Sequence, residues 1–223
     1  MLVFLLCLLG SYLLGSFPTG YVVSKLLKGI DIRKFGSGNI GFTNVLRAIG
    51  IIPALITLAG DIGKGVGSVY MGSFFSSFIP TDPCLIKGLS GLTSIVGHNW
   101  SLFLKFKGGK GVATSAGVFL SLTPLPFLFS LIIMVAIIGF TRYVSLGSII
   151  AAISLPFFIW MHSGNQLIIY LFLSILTAGI IIIKHQSNLL RLFLGQENKF
   201  GQKIKIKKNN SLTTKPPRHK GVI

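Results

Sequence analysis

The sequence predicts an all-α polytopic membrane protein with seven transmembrane helices, some of them short or re-entrant. Its N-terminus is expected outside and its C-terminus in the cytoplasm. Three observations carry this reading. First, 51% of the 223 residues are hydrophobic and only 11% are charged. The mean hydropathy of +0.78 reflects more apolar surface than a soluble domain of this length can bury, whereas a bilayer can cover it. Second, the apolar residues gather into runs at 1–24, 51–79, 85–97, 111–122, 124–140, 145–161 and 166–183. Third, alternate loops between these runs are rich in Lys and Arg or free of both, the pattern that orients membrane segments.

The first run is expected to be a retained span. It lacks the basic n-region of a secretory signal, and no small-residue cleavage site follows Cys7. A basic loop with Lys25, Lys28, Arg33, Lys34 and Arg47 follows it. The second run contains Asp61 and Lys64 at i,i+3. Each charge costs about 3 kcal/mol if unpaired inside a bilayer. They either pair or mark where the run enters the membrane, and both readings stand at this point. The runs at 85–97 and 111–122 are short for a span and would tilt, thin the bilayer or turn back. Lys105, Lys107 and Lys110 lie between them. Pro124 and Pro126 separate the fourth run from the fifth, since proline does not extend a helix through its interior. Arg142 precedes the sixth run. The loops at Asp82, Thr123 and 163–165 carry no Lys or Arg. Seven crossings place every basic loop on one side, Lys87 being the one poor fit; six would strand Arg142 on the other.

The chain divides into one integral membrane domain, residues 1–198, and a basic cytoplasmic tail, residues 199–223, expected to be mostly disordered. The net charge of +17 would suggest nucleic acid in a soluble protein. Here the basic residues fall between apolar runs and in the tail, so membrane topology and anionic ligands are the better account and no nucleic acid is expected. The tail could also adhere to anionic headgroups, at about 1 kcal/mol per basic residue. Cys7 and Cys84 have no metal-site spacing, and no metal cluster is evident.

Three polar stretches fall on the predicted cytoplasmic face. The first is Gly36-Ser37-Gly38-Asn39-Ile40-Gly41-Phe42-Thr43-Asn44-Val45-Leu46-Arg47. Its glycines could turn successive N–H groups toward an anion. With a helix starting near Phe42, Thr43, Asn44 and Arg47 would share one face. The second is Gly97-His98-Asn99-Trp100, followed by Phe106-Lys107-Gly108-Gly109-Lys110-Gly111-Val112-Ala113-Thr114. A Gly-Gly-Lys-Gly turn entering a helix offers a phosphate free N–H groups, a helix dipole and an ammonium. It is not a Walker A loop, because Gly111 stands where Ser or Thr would follow the lysine. Lys105 and Lys107 are explained by topology alone, and His98 alone would more often be structural. The third stretch is Lys184-His185-Gln186-Ser187-Asn188-Leu189-Leu190-Arg191, then Gly195-Gln196-Glu197-Asn198-Lys199. On a helix, Lys184, Asn188 and Arg191 share a face, with His185 beside Asn188. Glu197 is one of only four acids and is expected to pair with a basic neighbour and hold the tail, not to act as a base.

Taken together and in order, these stretches resemble the bacterial acyl-phosphate:glycerol-3-phosphate acyltransferase family over nearly the whole chain. The patterns read here as GSGNIGFTNVLR, GHNWSLFLKFKGGKGVAT and KHQSNLLRLFLGQENK. One departure is Ser101, where the family usually has proline. The resemblance implies transfer of a fatty acyl group from acyl phosphate to a hydroxyl of sn-glycerol 3-phosphate. The products are 1-acyl-sn-glycerol 3-phosphate (lysophosphatidic acid) and phosphate, the first acylation of phospholipid biosynthesis. It also implies a multi-pass protein of the bacterial inner membrane whose site faces the cytoplasm, with seven helices, as the loops had suggested. Residue by residue it points to Ser37, Arg47, Lys110, His185 and Asn188 as catalytic. It points to Gly38, Asn39, Thr43, Asn44, His98, Gly108, Gly109 and Ser145 as substrate-binding, Gly108 and Gly109 through backbone donors. No cofactor is expected. The partners expected are glycerol 3-phosphate, the lipidic acyl phosphate and membrane lipids; contact with the enzyme producing the acyl phosphate is a further possibility.

Two other classes fit less well. A transporter for phosphorylated solutes would place its site near the midplane between repeats, yet the polar stretches share one face and no repeat is evident. An acyl-CoA-dependent acyltransferase would carry His followed four residues later by Asp, and none of His98, His162, His185 or His219 does.

Overall fold

The computed structural model describes residues 1–162 and 168–202. Most of the basic tail, the loop at 163–165 and the start of the run at 166–183 lie outside the described residues. All regular elements among the described residues are helical. The first apolar run is two helices, α1 (Leu2–Ser16) and α2 (Thr19–Lys28). They part at Phe17–Pro18 because Pro18 has no N–H with which to continue the ladder. Gly29, left-handed with φ 67°, closes α2. Asp31 then accepts from the Arg33 N–H to start a 3₁₀ turn at Ile32–Lys34. Helix α3 (Phe42–Ala48) begins at the residue the sequence indicated. Helix α4 (Ile51–Ser76) is 26 residues long.

Helix α5 (Pro83–Asn99) extends beyond the apolar run at both ends. Asp82 caps it through the Cys84 N–H, at 2.8 Å, with Pro83 at the first helical position. A 3₁₀ turn at Leu102–Leu104 follows. There the Ser101 hydroxyl donates to the Ser16 carbonyl, so this serine ties the turn to the end of α1. The remaining helices are α6 (Val112–Leu122), α7 (Pro124–Thr141), α8 (Val144–Met161), α9 (Ile168–Lys184) and α10 (Gln186–Phe193).

By length and composition, three stretches among the described residues suffice to cross a membrane: Leu2–Lys28 taken together, α7 and α8. A fourth is the pair α9 and α10, bent by 59°. Helix α4 is long enough but carries Asp61 and Lys64, and α6 is apolar but has only 11 residues. Large apolar side chains such as Leu5, Ile132, Phe140, Phe157 and Phe172 point outward, a surface that suits lipid and not water.

One group of helices packs α1, α4, α5 and α6 together; a second packs α7, α8 and α9. Small residues allow the close approaches in the first group. A Cβ at Gly65 would lie 2.2 Å from the Thr114 carbonyl oxygen, and one at Gly117 2.1 Å from that of Ile62. Backbone contact of this kind is how helices associate where hydrophobic burial gives no drive. Val69, Ile95, Val118, Phe119, Leu155 and Ile159 join the two groups in a shared core. A smaller core of Ile32, Ile40, Val45, Ala54 and Leu104 holds α3 and its loop against α4.

Candidate active site

A cavity of about 460 Å³ lies between the two helix groups. Its apolar part is walled by side chains such as Ile62, Phe119, Phe127, Leu131 and Leu155. Its polar end is where the three sequence stretches meet. Ser37, Asn39, Thr43, Asn44 and Arg47 line it from the first stretch, and His98 and Lys110 from the second. His185, Asn188 and Glu197 line it from the third, with Ser145 from α8. Gly38, Gly108 and Gly109 do not line it.

The first loop is built around Asn44, which is almost fully buried. Its Oδ1 accepts from the Ser37 N–H at 3.0 Å, and its Nδ2 lies 3.3, 3.0 and 2.8 Å from the carbonyls of Ile32, Phe35 and Asn39. Asn44 therefore folds the loop, and its amide is fully occupied there. The Gly38 N–H is also committed, to the Phe35 carbonyl at 3.0 Å. The Ser37 and Gly38 N–H groups are thus not available to an anion nest in this stretch, because they close the loop on itself. The side chains of Ser37, Thr43 and Arg47 remain to meet a ligand. Arg47 reaches the Asn198 carbonyl at 3.1 Å, while its Nε is buried without a partner. Burial pulls this guanidinium below its ordinary value, against the attraction of Glu197.

The second stretch also corrects an expectation. The Gly108 and Gly109 N–H groups donate to the Asn99 and His98 carbonyls, at 3.3 and 2.9 Å. They satisfy the C-terminal carbonyls of α5 and are not free for a phosphate. The glycines are required sterically instead: a Cβ at Gly108 would lie 2.0 Å from the His98 carbonyl oxygen, and one at Gly109 2.1 Å from His98 Nε2. This docking delivers Lys110 to the cavity. Its ammonium donates to Asn188 Oδ1. Burial pushes its pKa down to about 8, although Glu197 pulls the other way. Gly111, left-handed at φ 84°, starts α6. Val112, Ala113 and Ser115 in its first turn line the cavity, so the positive end of that helix opens onto it.

In the third stretch, Lys184 and His185 sit where α9 bends into α10. His185 is buried, with Nδ1 2.8 Å from the Ile181 carbonyl. That bond needs a proton on Nδ1, which leaves the Nε2 lone pair as the acceptor. Burial, reinforced by Lys110, takes its pKa down to about 4, so the ring is neutral at ordinary pH. Glu197 Oε1 accepts from Asn188 Nδ2 at 2.7 Å and from Ser145 Oγ at 3.0 Å; its Oε2 accepts from Arg191 Nε at 2.8 Å. Burial would raise the carboxyl, but these three hydrogen bonds together hold it below its ordinary value. Glu197 pairs with a basic neighbour as anticipated, and beyond that it joins α8 to α10. The spacing of Ser145 and Glu197 gave no sign of this contact. Asp61, Ser115 and Thr177 also face the cavity; Asp61 stands out in the sequence as a charge inside an apolar run, whereas Ser115 and Thr177 look there like ordinary helix residues.

This geometry has close parallels. The family model described as Glycerol-3-phosphate acyltransferase matches residues 5–195. A relative from Prochlorococcus marinus (strain MIT 9312), named glycerol-3-phosphate acyltransferase, is 46% identical, the match covering 86% of this chain and 95% of the relative. Among solved structures, PlsY (YgiH), an integral membrane glycerol 3-phosphate acyltransferase, matches in its glycerol 3-phosphate form with TM-score 0.80 and 37% identity, over 89% of this chain and 96% of that one. Its lysophosphatidic acid form matches with TM-score 0.78 and 36% identity, over 89% and 95%. The chain belongs to the glycerol-3-phosphate acyltransferase family and is an acyltransferase.

Proposed function

We propose that the enzyme transfers a fatty acyl group from acyl phosphate to a hydroxyl of sn-glycerol 3-phosphate, releasing lysophosphatidic acid and inorganic phosphate. The observation that carries this is one cavity with a cationic, hydrogen-bonding end and an apolar end. The cationic end suits phosphate and the apolar end an acyl chain. The solved PlsY forms, with glycerol 3-phosphate and with lysophosphatidic acid, support the acceptor and the lipid product.

In this reading Arg47, Lys110 and Ser37 bind the substrate phosphates, assisted by Asn39, Thr43 and the first turn of α6. His185 Nε2 accepts the hydrogen of the attacking hydroxyl and orients its oxygen. Asn188 holds Lys110 in place. The hydroxyl oxygen forms a bond to the acyl carbon, and the bond from that carbon to the phosphate oxygen breaks. With a pKa of about 4, His185 is too weak a base to keep the proton, which leaves on a phosphate group. Fixed cations near the carbonyl and the departing phosphate favour the transition state.

The donor is tested with purified protein, glycerol 3-phosphate and either acyl phosphate or acyl-CoA, without added metal. Product is expected from acyl phosphate alone, and robust acyl-CoA turnover would overturn the assignment.

The same reading places the polar end in the cytoplasm. Residues 1–198 form one membrane domain with seven crossings and the N-terminus outside, and residues 199–223 a basic tail at the inner surface of a bacterial inner membrane. Single cysteines at Ser37, Lys107 and Gln196, in a background lacking Cys7 and Cys84, should then react with an impermeant thiol reagent only from the cytoplasmic side. Labelling of any one from outside would break that topology.

A further inference from the structure

Asp61, Lys64 and His98 form a second ionic cluster beside the cavity, from α4 and the end of α5. All three are nearly inaccessible, at 2%, 4% and 4% exposure. An ammonium carries three N–H donors and no acceptor, and each donor of Lys64 has a partner. Asp61 Oδ1 lies at 2.8 Å, the Phe17 carbonyl at 2.9 Å and His98 Nδ1 at 3.0 Å. The Phe17 carbonyl lies where the chain breaks between α1 and α2, and there it accepts from both the Thr19 N–H, at 3.0 Å, and Lys64. Since Lys64 can only donate, His98 Nδ1 must present its lone pair, and the ring proton sits on Nε2. Asp61 is 3.7 Å from Nδ1, too far to compete for it. The other edge of the ring meets Gly109, where a Cβ would stand 2.1 Å from Nε2. The Gly109 N–H donates to the His98 carbonyl at 2.9 Å. The residue that follows is Lys110.

We propose that Asp61, Lys64 and His98 are positioning residues: Lys64, held by Asp61 and the Phe17 carbonyl, locks the tautomer and tilt of His98. The locked ring is the seat on which the Gly108–Gly109 turn places Lys110 in the cavity. The cluster accounts for two charges in the middle of an apolar helix, since pairing removes most of the insertion penalty. It also explains why Asp61 and Lys64 stand three residues apart, on the face of α4 turned toward α5. Its effect on catalysis rests on the reading that Lys110 binds a substrate phosphate.

The test uses the full chain in nanodiscs, labelled with ¹⁵N-histidine. Nitrogen NMR, with His98 assigned by its loss in His98→Asn, should show Nε2 protonated and Nδ1 bare in the wild type. The double variant Asp61→Leu/Lys64→Met leaves no unpaired charge, and there the tautomer should become mixed. In the same variant the KM for glycerol 3-phosphate should rise at least tenfold, while kcat changes less; mere loss of folded enzyme would lower apparent kcat and leave KM alone. His98→Asn keeps an acceptor for Lys64 but removes the edge under Gly109. It should raise KM similarly, and it decides the case if the double variant does not fold. A proton on Nδ1 in the wild type, an unchanged tautomer in the double variant, or a KM within twofold of wild type in the folded variants would each overturn the proposal. A wild-type enzyme that shows the expected tautomer but no turnover with acyl phosphate would instead count against the proposed reaction.

Discussion

The two carboxylate-centred clusters at the cavity are built in opposite ways. Asp61 lies inside α4, and its ion pair is local, one helical turn away at Lys64. Glu197 lies in a loop after α10 and gathers Ser145 from 52 residues away, with Asn188 and Arg191 from α10. The first cluster sits among helices that pack through glycines. The second joins segments that would otherwise part where the chain emerges from α9. Local pairing makes a charge tolerable inside an apolar helix; long-range pairing makes a site out of separate loops. Lys110 stands where the two meet, bonded to Asn188 on one side and preceded by the turn on His98 on the other.

That position gives Lys110 the largest expected effect. Removing one donor of this kind costs about 10²–10³ in rate, so Lys110→Ala should lose at least that in kcat/KM while still inserting and folding. Lys107→Ala should lose less than about tenfold, because Lys107 lies outside the cavity lining and is explained by topology. With its pKa lowered to about 8, Lys110 also predicts a basic limb: activity falls as pH rises through about 8, because the cation proposed to bind phosphate is lost. Lys110→Arg, if active, should remove that limb. Equal losses for Lys107→Ala and Lys110→Ala at matched folding would reduce the turn to a generic basic surface.

Much of this is legible in the sequence. The start of α3 at Phe42, the Pro124 break and the convergence of three polar stretches follow from glycine, proline and charge placement; the break at Pro18, inside what reads as one apolar run, does not. The i,i+3 spacing of Asp61 and Lys64 allowed their pairing. What the sequence hid was direction. Glycines beside a lysine look like a phosphate cradle, yet Gly108 and Gly109 turn their N–H groups to the end of α5. Asn44 looks like a ligand on a helix face, yet its amide folds the loop from which it projects. The link from Ser145 to Glu197 was invisible because nothing in local spacing reports a contact between α8 and the segment after α10. The same holds for His98, whose partner in α4 is 34 residues away.

Glu197 comes next in expected effect. Glu197→Gln keeps the shape but removes the charge facing Arg191, which is about a third exposed. Solvent screens part of that loss, so destabilisation of about 1–2 kcal/mol is expected. Activity should fall about ten- to thirtyfold through the slackened Asn188. The pH dependence follows from the direction of the shift. A carboxyl whose folded pKa lies below its unfolded value of 4.5 contributes stability that is present above that value. The contribution is lost as pH falls through the lowered folded value. Thermal unfolding of the wild type should therefore show an acid loss below about pH 4.5 that is smaller in Glu197→Gln. Equal slopes in the two proteins would show that Glu197 is not the group that ties the third stretch down.

Ser145→Ala is expected to do least, and it separates two roles for this residue. The Ser145 hydroxyl is 3.0 Å from Glu197 Oε1 and is buried at 6% exposure. Oε1 also accepts from Asn188 at 2.7 Å, and Oε2 accepts from Arg191 at 2.8 Å. Without the serine hydroxyl, neither carboxylate oxygen is left unpaired, so the large penalty for an orphaned buried charge does not arise. What is lost is one hydrogen bond from a neutral hydroxyl to a charged group, about 1.5 kcal/mol, and the tie between α8 and the loop. If Ser145 acts only through Glu197, then Ser145→Ala in a Glu197→Gln background should cost less than it does alone, since the two changes break the same link. Turnover of the single variant should then stay within about tenfold of wild type. Should Ser145→Ala instead approach the loss of Lys110→Ala, and add in full to Glu197→Gln, the hydroxyl meets the substrate directly. Ser145 would then belong with Lys110 among the groups proposed to touch phosphate, and the Glu197 cluster would reach the reaction through two side chains instead of through Asn188 alone.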